Sequence, residues 1–112
     1  MLHLANMKEE KIYDLIIVGG GPAGAAAGVY AGRKKLNTLV IKAAWGGQSV
    51  VSTDIHNWIG TPSISGEKLA KDLQEHVEQY KSDIFEIVSD EVSKVEKQEN
   101  LFLITTKANK TF

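Results

Sequence analysis

The chain has 112 residues, 43% hydrophobic and 24% charged, which suits one soluble globular domain with a modest core and is too short for two domains of ordinary size. Its 13 basic and 14 acidic residues leave a net charge of -1, with no basic stripe, which argues against a nucleic-acid partner. The lack of cysteine excludes disulfides, thiolate metal sites and a redox-active Cys-x-x-Cys within these residues.

His3, His56 and His76 are scattered without ligand spacing, so no metal site is expected. No apolar run reaches membrane-spanning length. Residues 1–11 read as a polar leader: Lys8, Glu9 and Glu10 leave no room for a signal-peptide core, and a cytoplasmic chain is expected. Residues 12–112 read as one domain.

The first element is Leu15-Ile16-Ile17-Val18, an unbroken apolar run expected of a strand covered on both faces in a parallel sheet. It runs into Gly19, Gly21 and Gly24, spaced as G-x-G-x-x-G. The first glycine permits a tight turn, the second leaves room for a diphosphate, and the third allows close packing of helix on strand. Pro22 and Ala23 open the helix, where a missing proline N–H removes no helical bond. The free N–H groups of that first turn and the positive end of the dipole face an anion.

The helix is predicted from Pro22 to about Lys35, with Arg33-Lys34-Lys35 as its solvated end. Gly24, Gly28 and Gly32, with Ala27 and Ala31 beside them, give it one smooth face. Each internal glycine costs about 1 kcal/mol relative to alanine, so close contact between helix and sheet is expected to offset that cost. Leu36-Asn37 turns the chain into a second strand, Thr38 to Ile41, completing a right-handed βαβ unit.

Ala43 to Ser65 form a long irregular connector containing Gly46-Gly47-Gln48 and Asn57-Trp58-Ile59-Gly60. Connectors of this length in a compact domain are usually functional or disordered, and two tryptophans argue against disorder. On the residues alone, Gly46-Gly47 reads equally as a plain turn and Asn57-Trp58 as a packing corner. A second helix follows from Gly66 to about Lys81, capped by Ser65, with Leu69, Leu73, Val77 and Tyr80 as its apolar stripe. Lys68–Asp72 and Lys71–Glu75 are its expected surface pairs. Ile84 to Val88 form a third strand. Val92–Val95 and Leu101–Thr106 form a hairpin turned at Gln98-Glu99-Asn100, and Thr111-Phe112 opens a further strand. The expected fold is therefore α/β: a three-layer, Rossmann-like FAD/NAD(P)-binding domain in which a parallel sheet carries helices and an antiparallel β-meander, incomplete at the C-terminus.

Three blocks carry a resemblance to the N-terminal FAD-binding part of thioredoxin reductase-like flavoproteins of the pyridine nucleotide-disulfide oxidoreductase family. They are Tyr13 to Arg33, Gly46-Gly47-Gln48, and Asn57-Trp58-Ile59-Gly60. The resemblance implies that Gly19, Gly21, Pro22, Ala23 and Gly24 hold the FAD pyrophosphate. It places Gly46, Gly47 and Gln48 along the ribityl and flavin side, and Asn57 near the isoalloxazine. Val92 would contact adenine through its backbone. It further implies NADPH as co-substrate of a complete relative, a homodimer, and a thioredoxin-like or ferredoxin-like acceptor. No catalytic acid, base or nucleophile is expected in this chain.

Two departures bear on the site. Lys42 stands at the end of the second strand, where an acidic residue commonly bonds the adenosine ribose. A cation there would attract a 2′-phosphate, leaving NADP as the alternative to FAD, or it would face solvent. Ile59 replaces the family's proline. The family's second FAD segment, NADPH domain and cysteine pair would lie beyond Phe112, so the chain reads as a partial flavin domain. A non-catalytic dinucleotide-binding module is the other reading.

Overall fold

The computed structural model describes residues 11–112, so the leader reading for residues 1–10 lies outside the described residues. The elements are β1 (Leu15–Gly20), α1 (Pro22–Arg33), β2 (Thr38–Trp45), α2 (Gly66–Glu78), β3 (Phe85–Ser89), β4 (Val92–Gln98) and β5 (Leu101–Thr106). Strands β1, β2 and β3 form a parallel sheet with β2 in the centre, and β4 and β5 form an antiparallel hairpin.

Alternation along β2 builds the three layers. Val40 points into a core shared with Ile17, Ala25, Ala31, Val77 and Phe85, beneath the two helices. Leu39 and Ile41 point the other way, against Ile104 of the hairpin with Val92 and Phe112. Each of these fully buried β2 side chains contributes about 1.5–3 kcal/mol. The sheet is thus covered on both faces, as expected, but Val18 is not: it is 55% exposed. It lies near the end of β1, whose second edge has no partner strand among the described residues.

Helix α1 stops at Arg33 because Lys35 takes a left-handed conformation at φ 57°. The Leu36 N–H then donates to Ala31 O at 3.1 Å, closing the helix two residues before the expected end. Its smooth face is only partly a sheet contact. A Cβ on Gly28 would lie 3.2 Å from Val77 Cγ1, and one on Gly32 would lie 2.5 Å from the Tyr80 ring. Gly28 and Gly32 therefore make room for Val77 and Tyr80, a Cβ on Gly28 also facing Phe85 of β3 at 3.7 Å, and Ala27 is exposed.

Helix α2 begins at the predicted cap, where the Lys68 N–H donates to Ser65 Oγ at 3.1 Å. Ser65→Ala is expected to cost about 1 kcal/mol, lowering Tm by about 4–8 °C in a calorimetric melt. Lys68 pairs with Asp72, whereas Lys71 and Glu75 form no ion pair among the described residues. The further strand expected at Thr111-Phe112 is an isolated bridge from Thr111 to Thr105. Ile104 and Phe112 exchange both backbone hydrogen bonds at 2.9 Å.

Candidate diphosphate-binding site

Strand β1 loses its register with β2 between Val18 and Gly20, and Gly19 turns the chain at φ 108°. Helix α1 starts immediately afterwards with Gly21 as its N-cap, no side-chain cap, and no acidic residue in the first turn. The first helical bond runs from the Ala25 N–H to Gly21 O at 2.9 Å. That leaves the N–H groups of Ala23 and Gly24 without helical acceptors, while Pro22 has none to satisfy. An uncapped, acid-free N-terminus is an anion site by construction.

The connector completes this corner. Strand β2 runs to Trp45, four residues beyond its expected end, and the Gly46 N–H donates to Gly20 O at 2.8 Å. Gly46, at φ 90°, then reverses the chain into a short 3-10 turn, Gly47–Val51. As a result Gly47 lies directly against Gly21: a Cβ on Gly47 would be 3.3 Å from Gly21 Cα, and one on Gly21 would be 3.8 Å from Gly47 Cα. The two glycine motifs, far apart in sequence, present facing bare backbone. Gly20, a free position in the motif, is also confined, since its Cβ would meet Ala44 O at 2.8 Å. Beside this backbone contact, the first turn of α1 offers a diphosphate the free N–H groups of Ala23 and Gly24 and no acidic side chain.

Beside the turn lies a cavity of about 300 Å³ lined by Val18, Gly19, Ile41, Ala43, Asp90, Glu91, Val92 and Lys107. Gly19 and Val92 thus line the same cavity. A bulge between Val92 and Lys94 locally disrupts the β4–β5 ladder beside this cavity. The Asp90 carboxyl is held below the usual carboxylate range, chiefly by the Thr106 hydroxyl and then by the Glu91 and Ala108 backbone N–H groups. It therefore braces the hairpin.

Lys42 does not line this cavity. Its Nζ donates to Ser89 Oγ at 2.8 Å and lies 5.8 Å from the Trp45 ring centroid. Of the alternatives open for Lys42, the structure turns its side chain toward Ser89, while Ala43, one residue on along the strand, lines the cavity. Gln48 and Asn57 are both exposed. The connector returns to the helix start through Trp58, which lines a groove of about 450 Å³ with Pro22, Ala25 and Ala26. Asp54 braces that return, accepting from Ser63 Oγ at 2.5 Å and pairing with His56 at 2.7 Å. Sequence reasoning misses Ala43, Glu91 and Lys107. Alternation could have exposed Ala43, whereas the other two need the hairpin register.

The family model described as pyridine nucleotide-disulphide oxidoreductase matches residues 13–112. The chain is 42% identical over 83 residues to a component of the alkyl hydroperoxide reductase of Xanthomonas campestris pv. phaseoli, covering 74% of this chain and 16% of that protein. It is 41% identical over 97 residues to thioredoxin reductase of Bacillus subtilis (strain 168), covering 81% of this chain and 31% of that one. The crystal structure of Lactococcus lactis thioredoxin reductase superposes with a TM-score of 0.82 at 29% identity, over 90% of this chain and 32% of that chain. The chain thus spans about a third or less of these relatives.

Proposed function

Because the chain belongs to the pyridine nucleotide-disulphide oxidoreductase family, we propose that its glycine corner holds FAD. The chain is then the FAD-binding portion of a flavin-dependent oxidoreductase of the thioredoxin reductase type. One observation carries this reading: Gly21 and Gly47 face each other across bare backbone at the uncapped start of α1. A phosphate pair needs close backbone approach, free N–H donors and a helix start without acidic side chains, and the first turn of α1 offers all three.

When bound, the flavin supplies the redox chemistry, accepting a hydride from NADPH and passing electrons to a disulfide or protein acceptor in the complete enzyme. The residues here bind and orient it. Gly19, Gly21, Ala23 and Gly24 receive the pyrophosphate, Gly46, Gly47 and Gln48 follow the ribityl side, and Asn57 meets the ring. Gln48 and Asn57 are exposed, and each carries both donor and acceptor groups suited to a flavin edge. With no cysteine among 112 residues, their share is cofactor binding rather than thiol exchange. The proposed partners beyond FAD are a second copy of the chain and a thioredoxin-like or ferredoxin-like acceptor.

NADP at the glycine corner gains nothing from Lys42, which is turned toward Ser89. The test is a thermal-shift titration with FAD and with NADPH. Saturation with FAD at a hundred times its Kd is expected to stabilise the fold by about 2.7 kcal/mol, with a smaller shift from NADPH. Equal or greater stabilisation by NADPH would overturn the FAD assignment.

A further inference from the structure

We propose that Glu91, held by Lys107, is the residue that reads the adenosine ribose, a role transferred from the end of β2 to the mouth of the β4–β5 hairpin. The inference rests on the FAD reading above. At the end of β2 the side chain lining the cavity beside Gly19 is Ala43, which offers a ribose no hydrogen bond. The ionisable side chains lining that cavity are Asp90, Glu91 and Lys107. Asp90 already accepts from the Glu91 backbone N–H at 2.8 Å. Glu91 is tied down only at one side, by an ion pair with Lys107 Nζ at 2.6 Å. The Lys107 N–H also donates to Glu91 O at 2.8 Å, so the two residues are fixed neighbours across the hairpin mouth.

A carboxylate keeps acceptor capacity after one ion pair and takes hydroxyl donors well. The same carboxylate repels a 2′-phosphate and occupies Lys107, the one cation lining the cavity among the described residues. Glu91 therefore favours a nucleotide with free ribose hydroxyls over its 2′-phosphorylated counterpart. Removing it releases Lys107 toward the very group it had excluded.

The experiment titrates wild type and Glu91→Ala with FAD by flavin fluorescence, with ADP-ribose and 2′-phospho-ADP-ribose as competitors. Glu91→Ala is expected to bind FAD about tenfold more weakly, the loss of one charge-assisted hydrogen bond. Its preference for ADP-ribose over the 2′-phosphorylated form is expected to shrink at least tenfold. Should Glu91→Ala fail to fold by circular dichroism, Glu91→Gln supports the same comparison, because it keeps the shape and loses the charge. Wild-type FAD affinity with an unchanged competitor ratio overturns the role of Glu91 and leaves the flavin reading standing. Failure of the wild type to bind FAD overturns both.

Discussion

Gly21→Val is expected to weaken FAD binding at least a hundredfold while the chain still folds. Gly21 has φ -75° and ψ -174°, an extended backbone open to any residue, so glycine is not required there for conformation. It is required for space. A single methyl would meet Gly47 Cα at 3.8 Å, an ordinary contact, so Gly21→Ala should lose much less. The γ-carbons of valine reach beyond that contact, crowd the Gly47 backbone and push the Gly47 turn away from the start of α1, displacing the phosphates from its free N–H groups. A hundredfold loss corresponds to about 2.7 kcal/mol. Flavin fluorescence titration of the three proteins reads the series, with circular dichroism as the folding control. Wild-type affinity in the valine variant would mean that diphosphate binding does not depend on the contact between these two backbones.

Gly24→Ala is expected to destabilise the fold itself by about 3 kcal/mol or more, at the upper end of overpacking costs. Its Cβ would lie 2.1 Å from Gly19 O and 3.0 Å from Gly19 C. Both are backbone atoms of the turn, so nothing flexible can yield. The corresponding fall in Tm is at least about 12 °C. Gly28→Ala is the informative comparison, since its Cβ would meet the Val77 side chain at 3.2 Å, and a side chain can shift. Alanine also regains about 1 kcal/mol of helix propensity there. The two alanines should therefore separate by several degrees in a calorimetric melt. Equal melting temperatures would show that the turn relaxes around Gly24.

The contrast between these glycines marks how far local pattern reaches. G-x-G-x-x-G, the apolar run before it and Pro22 after it specify a strand, a tight turn and a helix, because each is a short-range demand on backbone geometry. The Ser65 cap and the Leu69–Val77 stripe are equally local, and the structure reproduces them. The glycine stripe of α1 is legible as a smooth face. What it packs on is not, because Val77 and Tyr80 reach Gly28 and Gly32 from more than forty positions away. Lys42 shows the same limit at closer range. Its place on β2 is clear, but which side of the strand faces the nucleotide depends on where the hairpin lies.

The residues in chain order thus dictate the chemistry of the corner: bare backbone, an uncapped helix start and a second glycine pair, each a matter of sterics within a few positions. Folding in three dimensions was needed to bring Gly47 against Gly21, to set Ala43 rather than Lys42 beside the cavity, and to close its rim with Glu91 and Lys107. Those juxtapositions follow from strand register and from burial of Leu39, Ile41 and Ile104 between sheet and hairpin, contacts that no local propensity encodes.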